Sequence, residues 1–388
     1  MSSDGRFVTF QSEASNLVAD DTNGLEDVFV RDRQTGVTSR VSVATGGVQS
    51  IGGPSVAATI SGDGGIVVFK SFATNLVAND TNGGADIFVH DRASGVTTRV
   101  SVDSAGAQAN GGSDTPCVSA DGRLVVFSSD ATNLVPGDTN GAADIFLHDR
   151  QTGLTTRISL SSAGAQGNDG SFDPYISSDG TTVVFSSLAS NLVPNDTNGV
   201  RDVFVRDLAA GTTTRVSVSS GGVQSNGDSA FDFLAQVTSA DGRFVIFDSV
   251  ATNLVDPPTN GFRQVYLHDR QAATTTLLST DSAGNQANAD AFGGFLSGDG
   301  RFATFQAEAT NLVPNAPPRQ LYLRDRQTGT IQIISVNAAG DVGDNRSDRG
   351  VFSRDGRFIG YQSSATNLVP NDTNGVIDIF VIQNPLVP

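Results

Sequence analysis

The chain has 388 residues, 24 Lys+Arg against 41 Asp+Glu, and a net charge of −17. That balance excludes the basic face on which nucleic-acid binding begins, and no apolar run of about 18 residues exists for membrane insertion. The single cysteine, Cys117, excludes intramolecular disulfides and cysteine-rich metal sites.

Glu13, Glu26 and Glu308 are the only glutamates and Lys70 the only lysine, while glycine numbers 43. Aspartate and glycine belong in turns, so the composition predicts strands and tight turns rather than helices. Self-similarity then organises everything else. Asp-Gly recurs at Asp4, Asp63, Asp121, Asp179, Asp241, Asp299 and Asp355, at spacings of 56 to 62 residues. Asn-Leu-Val recurs in step at Asn16, Asn75, Asn133, Asn191, Asn253, Asn311 and Asn367. The seven copies predict one domain, 1–388, with units near 1–52, 53–110, 111–168, 169–228, 229–288, 289–344 and 345–388.

The third copy reads most plainly. A short inner strand precedes the turn at Asp121, and Arg123–Phe127 follows as a nearly continuous apolar strand. Ile145–Leu147 is the next apolar run, a turn over Asp149–Gly153 follows, and Thr156–Leu160 alternates apolar and polar. Four antiparallel strands at a fixed period predict an all-β, seven-bladed β-propeller of four-stranded blades. The pattern Ser-x-Asp-Gly-x-x-(Val/Ile)-Val-Phe, seen from Ser119 to Phe127, continues as Asp-(Val/Ile)-Phe-Val-x-Asp-x-x-Thr-Gly and Thr-x-(Val/Ile)-Ser from Asp144 to Ser159. It resembles the TolB-like, distantly WD-repeat-like propeller repeats. The resemblance implies the fold and a binding platform, not one function.

The first copy lacks the inner strand and the seventh its outer strand, so an irregular closing blade is expected. The tail Asn384–Pro388 is expected to fill the missing inner place of the first unit.

One loop carries chemistry. Asp-Thr-Asn-Gly-x-x-Asp supplies Asp21, Asn23 and Asp27; Asp80, Asn82 and Asp86; Asp138, Asn140 and Asp144; Asp196, Asn198 and Asp202; and Asp372, Asn374 and Asp378. Oxygens at alternate positions, a glycine and a closing carboxylate suit a hard cation such as calcium. The motif resembles the longer calcium loops of integrin-type propellers, but the leading acid falls on Ala19, Ala78, Pro136, Pro194 or Pro370. Three side-chain ligands remain where calcium takes about six to eight oxygens. Copies five and six lose both acids together, with Pro258 and Gln264 in one and Pro314 to Gln320 in the other. Paired loss points to a shared task, and plain turn capping is the competing reading.

A second cation cluster is drawn from Asp114, Asp173, Asp232, Asp290 and Asp348, all near inner-strand starts and so at one channel mouth. His90, His148 and His268 share a repeat position with Arg31, Arg206 and Arg324, which reads as a solvent-facing strand end, not a set of catalytic bases. Cys117 reads as a small core residue, and the aligned Phe10, Phe69, Phe127, Phe29, Phe88 and Phe146 as core between blades. Tyr175, Phe172, Phe231 and Phe233 near the inner strands keep sugar stacking open. No nucleophile elbow, phosphate loop or zinc-protease motif is present.

The expectation is therefore a non-enzymatic calcium-binding propeller serving as a binding or scaffold module. Alternatives are a metal-free interaction scaffold using the channel mouth and the accessory propeller of a hydrolase whose catalytic domain lies elsewhere. Expected partners are calcium and a protein, peptide or glycan. A monomer without membrane insertion is expected, in an extracellular or periplasmic setting where calcium is millimolar.

Overall fold

In the computed structural model, which describes residues 1–231 and 236–387, the regular elements are β-strands, gathered into seven antiparallel sheets. The first sheet holds β1 (Phe7–Ser12), β2 (Asp27–Asp32) and β3 (Val37–Arg40), and the second β4 (Ser55–Ile60), β5 (Ile66–Ser71), β6 (Asp86–Asp91) and β7 (Val96–Arg99). The third has β8 (Ser113–Val118), β9 (Leu124–Ser129), β10 (Asp144–Asp149) and β11 (Leu154–Arg157). The fourth has β12 (Ser171–Ile176), β13 (Thr182–Ser187), β14 (Asp202–Asp207) and β15 (Thr212–Arg215). The fifth has β16 (Ser229–Ala230), β17 (Phe244–Ser249), β18 (Gln264–Asp269) and β19 (Thr274–Leu277). The sixth has β20 (Ala291–Leu296), β21 (Phe302–Ala307), β22 (Gln320–Asp325) and β23 (Ile331–Ile333), and the seventh β24 (Ser347–Phe352), β25 (Phe358–Ser363) and β26 (Asp378–Gln383). One sheet per repeat, strands in chain order, makes this a seven-bladed β-propeller. The first sheet lacks the first strand of the pattern and the seventh lacks the fourth.

Two compact units divide the chain, one of Met1–Asn195 with Arg206–Thr214, the other of Asp196–Val205 with Arg215–Pro388. Within the first, Val28, Val30 and Val41 of one sheet pack with Ile60, Val67, Phe69 and Phe88 of the next. The same arrangement repeats between the second and third sheets around Val89, Val125, Phe127 and Phe146. In the second unit Leu321, Leu323, Phe352, Ile359 and Tyr361 form the corresponding core. The aromatic pairs sit directly opposite one another in register and stack, Phe69 on Phe88 and Phe127 on Phe146 at 6.0 Å. These two pairs are fully buried, and Cys117 is buried in β8.

Each Asp-Gly turn is built alike. Ser61 Oγ donates to Asp63 Oδ1 at 2.6 Å, the Gly65 amide donates to the same oxygen, and the Ile66 amide donates to Ser61 Oγ. Gly64 has φ +75°, and a Cβ there would meet the Phe7 ring at 2.2 Å, so only glycine fits.

Neighbouring sheets are also tied by hydrogen bonds. Thr97 Oγ1 donates to the Val43 carbonyl at 2.5 Å, Thr155 to Val102 at 2.6 Å, Thr213 to Leu160 at 2.5 Å and Thr275 to Val218 at 2.5 Å.

The tail does not behave as the sequence predicts. Asn384 donates through its amide and side chain to the Arg357 and Gly356 carbonyls, both at 2.8 Å, and Leu386 and Val387 pack on the core shared by the sixth and seventh sheets. Asn384 takes the place of Arg92 and Arg150, which donate to the matching carbonyls of Gly64 and Gly122. The tail is thus held by the turn of its own repeat.

Candidate functional site

The five Asp-Thr-Asn-Gly-x-x-Asp loops lie between the second and third strands of the four-strand pattern (β1 and β2 in the first sheet, which lacks the pattern's first strand), with the closing aspartate opening the third. In four of them an arginine from the end of the fourth strand lies against the acids. Arg40 Nη1 stands 2.9 Å from Asp21 and 3.2 Å from Asp27. Arg99 is 3.4 Å from Asp80 and 3.1 Å from Asp86, Arg157 is 3.4 Å from both Asp138 and Asp144, and Arg215 is 2.9 Å from Asp196 and 3.1 Å from Asp202. None of these side chains is more than 10% exposed.

Other donors complete the surroundings. Ser159 Oγ donates to Asp144 Oδ1 at 2.5 Å, and Gln166 Nε2 donates to Asp138 and Asp144, each at 2.9 Å. Asn140 Nδ2 donates to Asp144 and to the Gly167 carbonyl, while its Oδ1 accepts from the Ala142 amide. Asn23, Asn82 and Asn198 are held in the same way. Burial pushes Asp80, Asp144 and Asp196 above their ordinary carboxylate value, against the pull of these donors.

In these four loops the surroundings give no support to calcium binding. The carboxylates face N–H and O–H donors and a guanidinium, the reverse of the all-oxygen shell that calcium requires. Among the described residues no group of three His, Cys, Asp or Glu is arranged to hold a metal. The arginine also accounts for the paired loss in repeats five and six. Where Gln264 and Gln320 replace the closing acid, Leu277 and Ile333 stand at the register position of Arg157. Ser279 and Ser335 persist and donate to the glutamine oxygens at 2.5 and 2.8 Å. The signal was in the sequence, as Arg-(Val/Ile)-Ser at Arg40, Arg99, Arg157 and Arg215, present only with the acids.

The seventh loop stands apart. Asp372, Asn374 and Asp378 are present, but the sheet ends at β26 and brings no arginine. Asn374 Nδ2 donates to both Asp378 oxygens at 3.3 and 3.1 Å.

The members of the second acidic set meet different partners. Asp114 and Asp348 are the second residues of β8 and β24, paired with Lys70 at 2.7 Å and with Arg346 at 2.5 Å. Asp173 is the third residue of β12, within 3.4 Å of Ser186 Oγ. Asp290 precedes β20 and accepts from the Arg263 amide at 2.9 Å. Asp232 and Phe233 lie outside the described residues.

A feature the sequence did not signal lies in the first strands. Each described first strand of full length carries a register shift against its neighbour, with a left-handed residue at its third position. These are Ala57 (φ 55°), Thr115 (φ 46°), Asp173 (φ 53°), Gly293 (φ 65°) and Arg349 (φ 57°). The five residue types share no chemistry, so no pattern announces the bulge.

The histidines are not solvent-facing. His90, His148 and His268 are 7%, 7% and 6% exposed, each with Nδ1 at 2.9 Å from Thr97, Thr155 or Thr275 Oγ1. Arg206 uses Nη1 on Thr213 Oγ1 at 3.1 Å in the same place. In these four sheets the position supplies a donor to the threonine that ties one sheet to the preceding one, whereas Arg324, opposite Ile331, donates to the Thr280 and Asp281 carbonyls.

No protein-family model and no curated protein matches the chain. Solved structures do. An oligogalacturonate lyase from Vibrio parahaemolyticus is 13% identical, with 99% of this chain and 88% of that one covered and a TM-score of 0.59. An oligogalacturonate lyase in complex with manganese is 16% identical over the same shares, with a TM-score of 0.58. The β-propeller domain of the trilobed protease from Pyrococcus furiosus, of open velcro topology, is 11% identical, with 98% and 91% covered and a TM-score of 0.58. These likenesses establish the propeller fold. They also correct the inference from propeller fold to non-enzymatic scaffold, because two of these similar structures, of this architecture and nearly this extent, are lyases.

Proposed function

We propose that this chain is a carbohydrate-active enzyme and that the bulged first strands within each unit carry its saccharide-binding residues. The observation that carries the reading is the left-handed bend repeated at Ala57, Thr115, Asp173, Gly293 and Arg349. Such backbone costs about 1–3 kcal/mol at a non-glycine residue and clusters where side chains are aimed at ligands. In the first unit Lys70 and Ser128 lie opposite the residues just before the bends at Ala57 and Thr115, and Phe172 and Asp173 form the bend of the fourth sheet; in the second unit Gln306, Phe292 and Arg349 lie at equivalent positions. Carboxylates, amides and hydroxyls match sugar hydroxyls, phenyl rings match apolar sugar faces, and Lys70 and Arg349 match a uronate carboxylate. The extended likeness to oligogalacturonate lyases supports this substrate class.

The manganese of one lyase structure finds no matching donor set among the described residues. The three histidines sit on separate sheets, each engaged with a threonine. No step through a metal is therefore assigned.

The test is incubation with oligogalacturonate and with neutral oligosaccharides, reading both the absorbance of unsaturated uronate ends and new reducing ends. Turnover, reduced in Asp173→Asn and Phe172→Ala proteins of unchanged melting temperature, is expected. Neither turnover nor saturable binding across the panel would overturn the reading. The repeat pattern further supports TolB-like kinship and, with it, residence outside the cytoplasm, which cell fractionation checks.

A further inference from the structure

Asn-Gly stands in the loop before the third strand in five sheets that carry a fourth strand, at Asn23, Asn82, Asn140, Asn198 and Asn260. Asparagine before glycine readily loses its side-chain amide, because glycine lets its own nitrogen approach the asparagine Cγ closely. Open space surrounds all five glycines, so access to the backbone does not separate the sites. Charge and donors do. In the first four loops the asparagine is half-buried, and its Nδ2 donates to the closing aspartate at 2.9, 3.4, 3.3 and 2.8 Å in turn. Each of those aspartates is 0% exposed, so negative charge formed on the asparagine would stand against a buried carboxylate. The fifth loop reverses this. Asn260 is exposed, and the closing position holds neutral, buried Gln264. Ser279 Oγ donates to Gln264 Oε1 at 2.5 Å, which turns the amide nitrogen towards the loop, and Gln264 Nε2 donates to Asn260 Oδ1 at 3.2 Å. The Phe262 amide donates to the same oxygen at 3.2 Å.

We propose that Asn260 is a self-modification site, converted in the folded protein to aspartate and isoaspartate while the other four asparagines resist. Solvent base takes the Gly261 amide proton and the nitrogen attacks Asn260 Cγ. Negative charge then gathers on Oδ1, where Gln264 Nε2 and the Phe262 amide stabilise it. The Cγ–Nδ2 bond breaks, ammonia leaves with a proton from water, and a succinimide ring remains. Water opens that ring at either carbonyl, giving aspartate or isoaspartate, with no oxidant or reductant involved. Gln264 still offers an amide donor to the aspartate product, where a closing aspartate would repel it. The site is separate from the bulged first strands, and its test does not depend on the saccharide reading.

The full chain is held in mildly alkaline buffer, once folded and once in urea, and sampled over time. Peptide mass spectrometry reads deamidation at each Asn-Gly, and isoaspartate methyltransferase reads the isomer. Asn260 is expected to react faster in the folded chain than in urea, and Asn23, Asn82, Asn140 and Asn198 slower. Gln264→Met, which keeps the length of the side chain without its donor, is expected to slow Asn260 about tenfold or more, as loss of an oxyanion donor implies. Where Gln264→Met alters the melting temperature, the ratio of folded to urea rates in wild type decides. A folded rate at Asn260 no greater than its rate in urea, a folded rate matched by Asn140, or full speed in a Gln264→Met protein of unchanged melting temperature would each overturn the proposal.

Discussion

His90 Nδ1 stands 2.9 Å from Thr97 Oγ1, and that hydroxyl already spends its proton on the Val43 carbonyl at 2.5 Å. The threonine oxygen is therefore the acceptor and His90 carries its proton on Nδ1. Burial holds His90, His148 and His268 below the ordinary histidine value. A group whose folded pKa is depressed stabilises fully above its unfolded value, near 6.5, and that contribution erodes as pH falls from there through the folded value. Ring titration by NMR should show all three midpoints below 6.5. His148→Arg should keep the melting temperature, and His148→Leu should cost about 1 kcal/mol for the lost hydrogen bond.

Arg157 is the counter-ion of a buried acidic pair. Arg157→Leu alone should cost about 3–5 kcal/mol, because it leaves uncompensated carboxylates under cover. Combining it with Asp144→Gln and Asp138→Asn, which approaches the solution in repeats five and six, should recover most of that loss. Urea denaturation of the single and triple variants measures both. A triple variant no better than the single one would refute the pairing.

Calcium in millimolar excess over EDTA-treated protein should leave the melting temperature unchanged in wild type and in Asp144→Asn alike. A rise in wild type that the substitution abolishes would restore an ion to the third loop.

A set of partly buried ion pairs responds to acid. Arg301 lies on Asp325 through two hydrogen bonds of 3.1 and 2.7 Å, as Arg243 does on Asp269. These arginines draw Asp325 and Asp269 down to about 2. Their stabilisation is complete above the unfolded carboxylate value near 4 and is lost as pH falls towards about 2. Asp325→Asn should therefore lower the melting temperature at pH 7 and leave it equal to wild type near pH 2. A difference that persists at pH 2 would contradict this.

Two glycines separate backbone from packing. Gly64 and Gly141 have φ +75° and +64°, but a Cβ at Gly64 enters the Phe7 ring while Gly141 faces open space. Gly141→Ala should cost about 1–2 kcal/mol for the left-handed bend alone. Gly64→Ala should cost clearly more, read by thermal unfolding.

The repeat made the sheets legible because each Asp-Gly turn and apolar run uses the same residues in the same order. Asp63 and Ser61 announce their turn by type, since few other pairs satisfy its amides. The loops misled because Asp138 and Asn140 look alike whether they face a cation or an arginine. Deciding between the two needed Arg157, which lies 13 residues beyond Asp144 and arrives only when the fourth strand pairs. The histidines were misplaced because interchange with arginine suggests exposure, whereas both residues serve as donors to a buried hydroxyl. The bulges were invisible because a left-handed residue at Thr115 or Arg349 is imposed by pairing, not preferred by side chain.

The ties from Thr97, Thr155 and Thr213 reach backbone carbonyls, and a backbone carbonyl is the same whichever residue owns it. Each repeat therefore accepts any predecessor of the same shape. A copy that is duplicated or exchanged keeps this hydrogen bond whatever its neighbour's side chains, and only the apolar packing must be matched again. The residue that supplies the carbonyl can change without loosening the tie, while the apolar core beside it holds the packing in place.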